Sequence, residues 1–72
     1  MNEKLGHVIK EYRKKAGLSK AGLARAIGVD RGLITRWEGD ITLNLSLPIL
    51  IAIMDECGVD VNITFVEREP SR

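Results

Sequence analysis

The side chains able to do chemistry in this sequence are mostly cations, and they crowd into its first half. Within residues 1–37 nine lysines and arginines (Lys4, Lys10, Arg13, Lys14, Lys15, Lys20, Arg25, Arg31 and Arg36) meet only Glu3, Glu11 and Asp30, a local charge of +6. Residues 38–72 reverse the balance, with Arg68 and Arg72 against seven acids, so −5 there leaves a formal +1 for the chain. A polyanion would be attracted to the first half and repelled by the second. On charge alone a solvated surface is the simpler reading, so the assignment turns on how the chain presents these groups.

Other reactive types are sparse. Cys57 is the single cysteine, which excludes a disulfide within the chain, and Cys57 with the single His7 offers no metal-ligand spacing. Cys57 reads as a small core hydrophobe and His7 as a solvated helix residue. Ser19 and Ser46 have no histidine or carboxylate pair placed to activate a nucleophile, and each stands where a helix cap is needed. An enzyme is therefore not expected, nor a metal, nor any cofactor. No apolar run approaches the ~20 residues of a membrane span, so no membrane partner is expected. The start Met1-Asn2-Glu3-Lys4 shows no apolar signal segment, and the expected location is cytoplasmic. A chain of 72 residues makes one domain with a marginal core; with disulfides and zinc set aside, self-association is the expected supplement.

Four helices must position the cations. Leu5, Val8, Ile9, Tyr12 and Ala16 recur at helical intervals, which predicts a helix over 2–16 stopped by Gly17. Ser19 caps a second over 20–27, with Leu23, Ala24 and Ile27 inward. Gly28-Val29 breaks it, and Asp30 caps a third over 31–38. After a loop over 39–45, Ser46 caps a fourth that holds Pro48 in its first turn and ends at Cys57-Gly58. That helix is apolar on nearly every face: Ile49, Leu50, Ile51, Ile53 and Met54. Residues 59–66 are β-branched and nearly alternating, with Val61, Ile63 and Phe65 on one side, which is a strand signal. Residues 67–72 are polar, contain Pro70 and read as a flexible tail.

The stretch from Lys20 to Trp37 is the informative one. Two short helices joined by a tight break need a small residue where they meet, supplied by Ala24, and a positive φ in the turn, supplied by Gly28. Val29, Ile34 and Trp37 fill the space beneath the third helix. With Gly17-Leu18-Ser19, Leu23-Ala24, Ile27-Gly28-Val29 and Ile34-Thr35-Arg36-Trp37-Glu38, the chain resembles the lambda-repressor-like, or Xre-type, helix-turn-helix family. The resemblance runs from Leu5 to Val59 and includes Ser46-Leu47 and Gly58-Val59 at the ends of the fourth helix. The chain departs from the family pattern at Gly22, where a polar helix former is usual, and at Gly32, often a base-reading position. Its loop after Glu38 is longer and lacks the usual proline, and a strand stands in place of the fifth helix.

The resemblance implies double-stranded DNA as partner, with the third helix in the major groove and its N-terminal residues towards the base edges. Arg31 and Arg36 would read bases, each able to fork two hydrogen bonds to a guanine. Gly32 would let the backbone approach closely, and Leu33 would contact a thymine methyl or remain a half-exposed helix residue. Ser19 and Lys20, with Thr35, would meet phosphates. Arg25 and Lys14 are further candidates, a solvated role being equally open for Arg25. Arg13 and Glu38 match a structural ion pair of the family that ties the third helix to the first.

The expected fold class is mainly α, a compact four-helix helix-turn-helix domain over 1–58 followed by a dimerisation strand over 59–66 and a flexible tail over 67–72. The expected function is a sequence-specific transcriptional regulator, a repressor acting as a homodimer on a palindromic operator. Ile49, Ile53, Val61, Ile63 and Phe65 are the expected dimer interface, with the strands paired across the two-fold axis. Two other readings stay open. One is a DNA-binding antitoxin that also holds a toxin protein, because the ending is similar to that of HipB-like antitoxins, although a Cro-like phage repressor could also use such a strand. The other is a protein-interaction module on the same fold.

Overall fold

A computed structural model describes residues 4–42 and 44–69. Helix α1 spans Leu5–Lys15, α2 Lys20–Ile27, α3 Arg31–Glu38 and α4 Leu47–Glu56. The expected start of α1 at Asn2 lies outside the described residues, as does the 70–72 part of the expected flexible tail.

Three helices begin on a side-chain cap from the residue before them. Ser19 Oγ accepts from the Gly22 amide at 2.9 Å, Asp30 Oδ2 from Gly32 at 3.2 Å, and Ser46 Oγ from Ile49 at 3.4 Å. These bonds satisfy amides that a helix start cannot pair internally. All four helices end alike. A left-handed residue closes each, and the next amide donates back five residues: Leu18 to the Arg13 carbonyl, Val29 to Ala24, Ile41 to Arg36 and Val59 to Met54, at 2.8–3.1 Å. Glycine holds the left-handed place in α1, α2 and α4, whereas α3 uses Asp40 at φ 68°.

An L residue pays for that conformation in strain, and Asp40 has a use there. Its Oδ1 accepts from the Gly6 amide at 2.9 Å, and Lys4 Nζ stands 3.9 Å from Oδ2. Lys4 gives α1 no side-chain cap of its own. The end of α3 therefore caps the start of α1.

The core is Ile9, Leu23, Ala24, Ile34, Trp37, Ile53 and Met54, drawn from all four helices. Helix α3 packs on α1 and α2, and α4 closes mainly against α2. The inward face of α1 differs from the one its apolar spacing predicts. Its buried residues are Gly6, Ile9 and Arg13, whereas Val8 and Tyr12 are half-buried, and Leu5 and Ala16 are exposed. Gly6 is dictated by close approach, because a Cβ there would lie 2.7 Å from the Glu38 carbonyl oxygen and nearer still to that of Trp37. A glycine and an arginine thus hold two inward positions that no hydrophobic pattern registers. Leu5, Val8 and Tyr12 form a second apolar stripe, which lines an open groove of about 260 Å³ with Leu50, Met54, Val59 and Val61.

Two expectations for the dimer face are corrected. No strand forms among the described residues, and beyond Gly58 the chain has no regular secondary structure through Glu69. A strand is a ladder of hydrogen bonds to a neighbour, and the described chain has no second extended segment to supply one. Ile53 is fully buried in the chain's own core, because Leu50, Ile53, Met54 and Cys57 share the inward side of α4; it cannot touch a second copy. Ile49 and Val61 are half-buried, Ile63 and Phe65 are exposed, and the outward apolar residues of α4 are Leu47 and Ile51.

Candidate nucleic-acid interface

Helix α3 is held from beneath and open above. Ile34 and Trp37 are buried, and Leu33 is half-buried against the core, turned away from the outer face. At 3.6 residues per turn, Arg31, Thr35, Gly32 and Arg36 follow one another around roughly 140° of the opposite side. All four are exposed. The two arginines therefore flank this face, and its centre is small: a glycine and a threonine. Gly32 also serves the cap, since a Cβ there would stand 3.0 Å from Asp30 Oδ2.

The start of α2 offers anion-binding groups. Ser19 is exposed, and its Oγ is used as an acceptor from Gly22, which leaves the hydroxyl hydrogen able to donate outward. Lys20 is half-buried at the first turn, where helix amides carry partial positive charge. Arg25 and Lys14 are exposed on α2 and α1.

Arg13 is not on this surface. It is 7% exposed. Its Nε donates to Glu38 Oε2 at 2.6 Å, Nη2 to Oε1 at 3.2 Å, and Nη1 to the Leu18 carbonyl at 2.8 Å. One guanidinium thus joins the end of α3, its own helix and the turn into α2. Hydrogen bonding to Glu38 raises the Arg13 pKa above its ordinary value, against the opposing effect of burial, so the group keeps its charge. Cys57 is half-buried, and burial pushes its thiol up while the Arg13 charge pulls the other way, which favours the neutral thiol. His7 lies exposed, 4.0 Å from Glu11 one turn on.

The sequence reading missed Gly6 and Asp40. Their contact spans 34 positions, so no local pattern could join them; the one available signal was an aspartate directly after the glycine that follows α3. Among the described residues no cluster of His, Cys, Asp and Glu could hold a metal, and no helix is long and apolar enough to cross a membrane.

A short helix, a glycine turn and a second short helix with its apolar side down and its cationic side out make a helix-turn-helix domain. The chain belongs to the lambda-repressor-like, Xre-type helix-turn-helix family, whose profile matches residues 9–63. That family consists of DNA-binding transcriptional regulators and is normally non-enzymatic. No curated protein matches the chain.

Proposed function

We propose that the protein is a sequence-specific transcriptional repressor that binds a palindromic operator in double-stranded DNA as a homodimer. The observation that carries this reading is the outer face of α3, where Arg31, Gly32, Thr35 and Arg36 are all exposed on a helix fixed by its buried side. Arg31 and Arg36 contact base edges, each forking to a guanine. Gly32 leaves the gap that lets the helix approach the groove floor. Thr35 sits mid-face, so we reassign it from a phosphate to a base edge or a thymine methyl. Leu33, packed inward, has at most a marginal contact. Ser19, Lys20 and Arg25 hold phosphates and set the depth and register of α3. Residues 1–58 are the DNA-binding unit, 59–66 the dimerising segment and 67–72 a tail, and the protein works in the cytoplasm.

Selection of bound duplexes from a random pool tests the reading. The expected product is an enriched pair of inverted half-sites, with affinity that falls as salt rises. Binding to all duplexes alike would remove the sequence-specific part. No binding to any duplex at low salt would favour a protein-interaction module instead.

A further inference from the structure

We propose that the groove between α1 and α4 docks an amphipathic helix of another protein, one with an apolar stripe two turns long and with lysine or arginine on the flank that meets Asp55 and Asp60. The inference goes beyond the DNA-binding reading and does not rest on it.

The floor of the groove is Val8 and Tyr12 from α1 with Leu50 and Met54 from α4. At roughly 100° per residue, Leu47 and Ile51 form the next row of α4, beside Leu50 and Met54 and away from buried Ile53. These two are 49% and 44% exposed, and Leu5 on the opposite rim is 38% exposed. Aliphatic side chains thus continue from the floor up both walls to solvent, which is how an interaction surface differs from a closed core. Helix α4 closes mainly against α2, and this leaves the seam with α1 open. Helix α3 lines no part of the groove, so an occupant does not cover Arg31 or Arg36.

Length and charge select the occupant. The walls from Leu5 to Tyr12 and from Leu47 to Met54 each run roughly 10 Å, or two helical turns. Apolar anchors at i, i+3 or i+4, and i+7 of a helix match that span. A small ligand in so open a groove would keep much of its surface in water, whereas ligand sites enclose most of theirs.

Asp55 stands one turn beyond Ile51 on α4, and Asp60 lines the groove just past the helix end. Carbonyls at a helix C-terminus already carry partial negative charge, and the last turn of α4 holds no basic residue to offset it. Both acids are exposed, and neither has an ion-pair partner among the described residues. The one cation at the groove, Lys15, is on the α1 side, where it lies over the Tyr12 ring 5.5 Å from the centroid. Cations brought by the occupant satisfy the α4 side. A second copy has no such helix to offer: the apolar sides of α2 and α3 are in the core, the free stripe of α1 is the groove itself, and the free row of α4 leads to Asp55.

The test selects helical peptides of about five turns on the full chain, each with leucine at i, i+4 and i+7 and with flanks randomised among lysine, glutamate and glutamine. Enriched peptides are expected to carry lysine along one flank. Ile51→Glu alters a side chain exposed in the single chain, so its thermal melt is expected to hold while the best peptide binds about 10-fold or more weakly by anisotropy. Asp55→Lys with Asp60→Lys is expected to weaken lysine-flanked peptides about fivefold and to turn the preference towards glutamate flanks. Peptides that enrich equally on the Ile51→Glu chain, or whose flank charge makes no difference, would overturn the docking site. An Ile51→Glu chain that keeps its peptide affinity but sediments as a monomer where the parent is a dimer would assign the face to a second copy instead.

Discussion

Arg13 keeps a full charge inside the fold because each of its three nitrogens finds an acceptor there. Removing one member of such a pair leaves the other buried and unmatched. Arg13→Ala is therefore expected to lower stability by about 3–5 kcal/mol, read as a lower urea midpoint, and to weaken DNA binding only through that loss. An unchanged midpoint with lost binding would mean that Arg13 touches DNA. Gly6→Ala meets two backbone carbonyls that cannot swing aside, so about 1–3 kcal/mol of destabilisation is expected in the same assay, and a neutral result would show that α1 can slide. The two residues differ in how they could be read beforehand. The Arg13 and Glu38 pairing was visible through the family pattern, whereas Gly6 looks like an ordinary weak spot in a helix until α3 is packed against it.

Helices α2 and α3 were readable because their punctuation is local: Ser19, Gly28 and Asp30 each act within a few residues of themselves. Helix α1 was readable as a helix, but its inward side, which carries a glycine and an arginine, and its N-terminal cap, which comes from Asp40, were not. That cap can be tested apart from its strained backbone. Asp40→Ala is expected to lose about 1 kcal/mol and keep the strain, Asp40→Gly to lose less because the left-handed turn is relieved, and Asp40→Asn to stay close to the parent. Thermal melts that rank glycine below alanine would contradict the assignment. On α3, Arg31→Ala and Arg36→Ala are each expected to cost about 1–3 kcal/mol on the selected site and much less on random duplex, read by anisotropy titration. Equal losses on both would place the two arginines on phosphates. Lys20→Ala, in contrast, is expected to weaken all duplexes alike and flatten the salt dependence by about one ion.

At the scale of the molecule, alternation along 59–66 reads as a strand, but a strand needs a neighbour that one chain does not supply, and the segment has no regular secondary structure. The same limit explains Ile53: α4 looks apolar all round in sequence, and only packing decides which of its faces is spent on the core. Leu47 and Ile51 of α4 stay exposed, as do Ile63, Phe65 and Val66 of the tail. If two copies join through that tail, the two α3 helices are fixed relative to each other, and the DNA must present its half-sites at a matching separation, near one helical turn or ~34 Å. Inserting about 5 bp, half a turn, between the selected half-sites rotates one of them to the opposite side of the duplex. Full-length protein is expected to fall to the affinity of a single half-site, and insertion of a whole turn is expected to restore part of the loss if the linkage can stretch. Protein lacking residues 60–72 is expected to bind every spacing equally and weakly, because its two helices are no longer coupled. Full-length protein that ignores the insertion would show that the tail does not set the distance between recognition helices, whatever its role in joining the two chains.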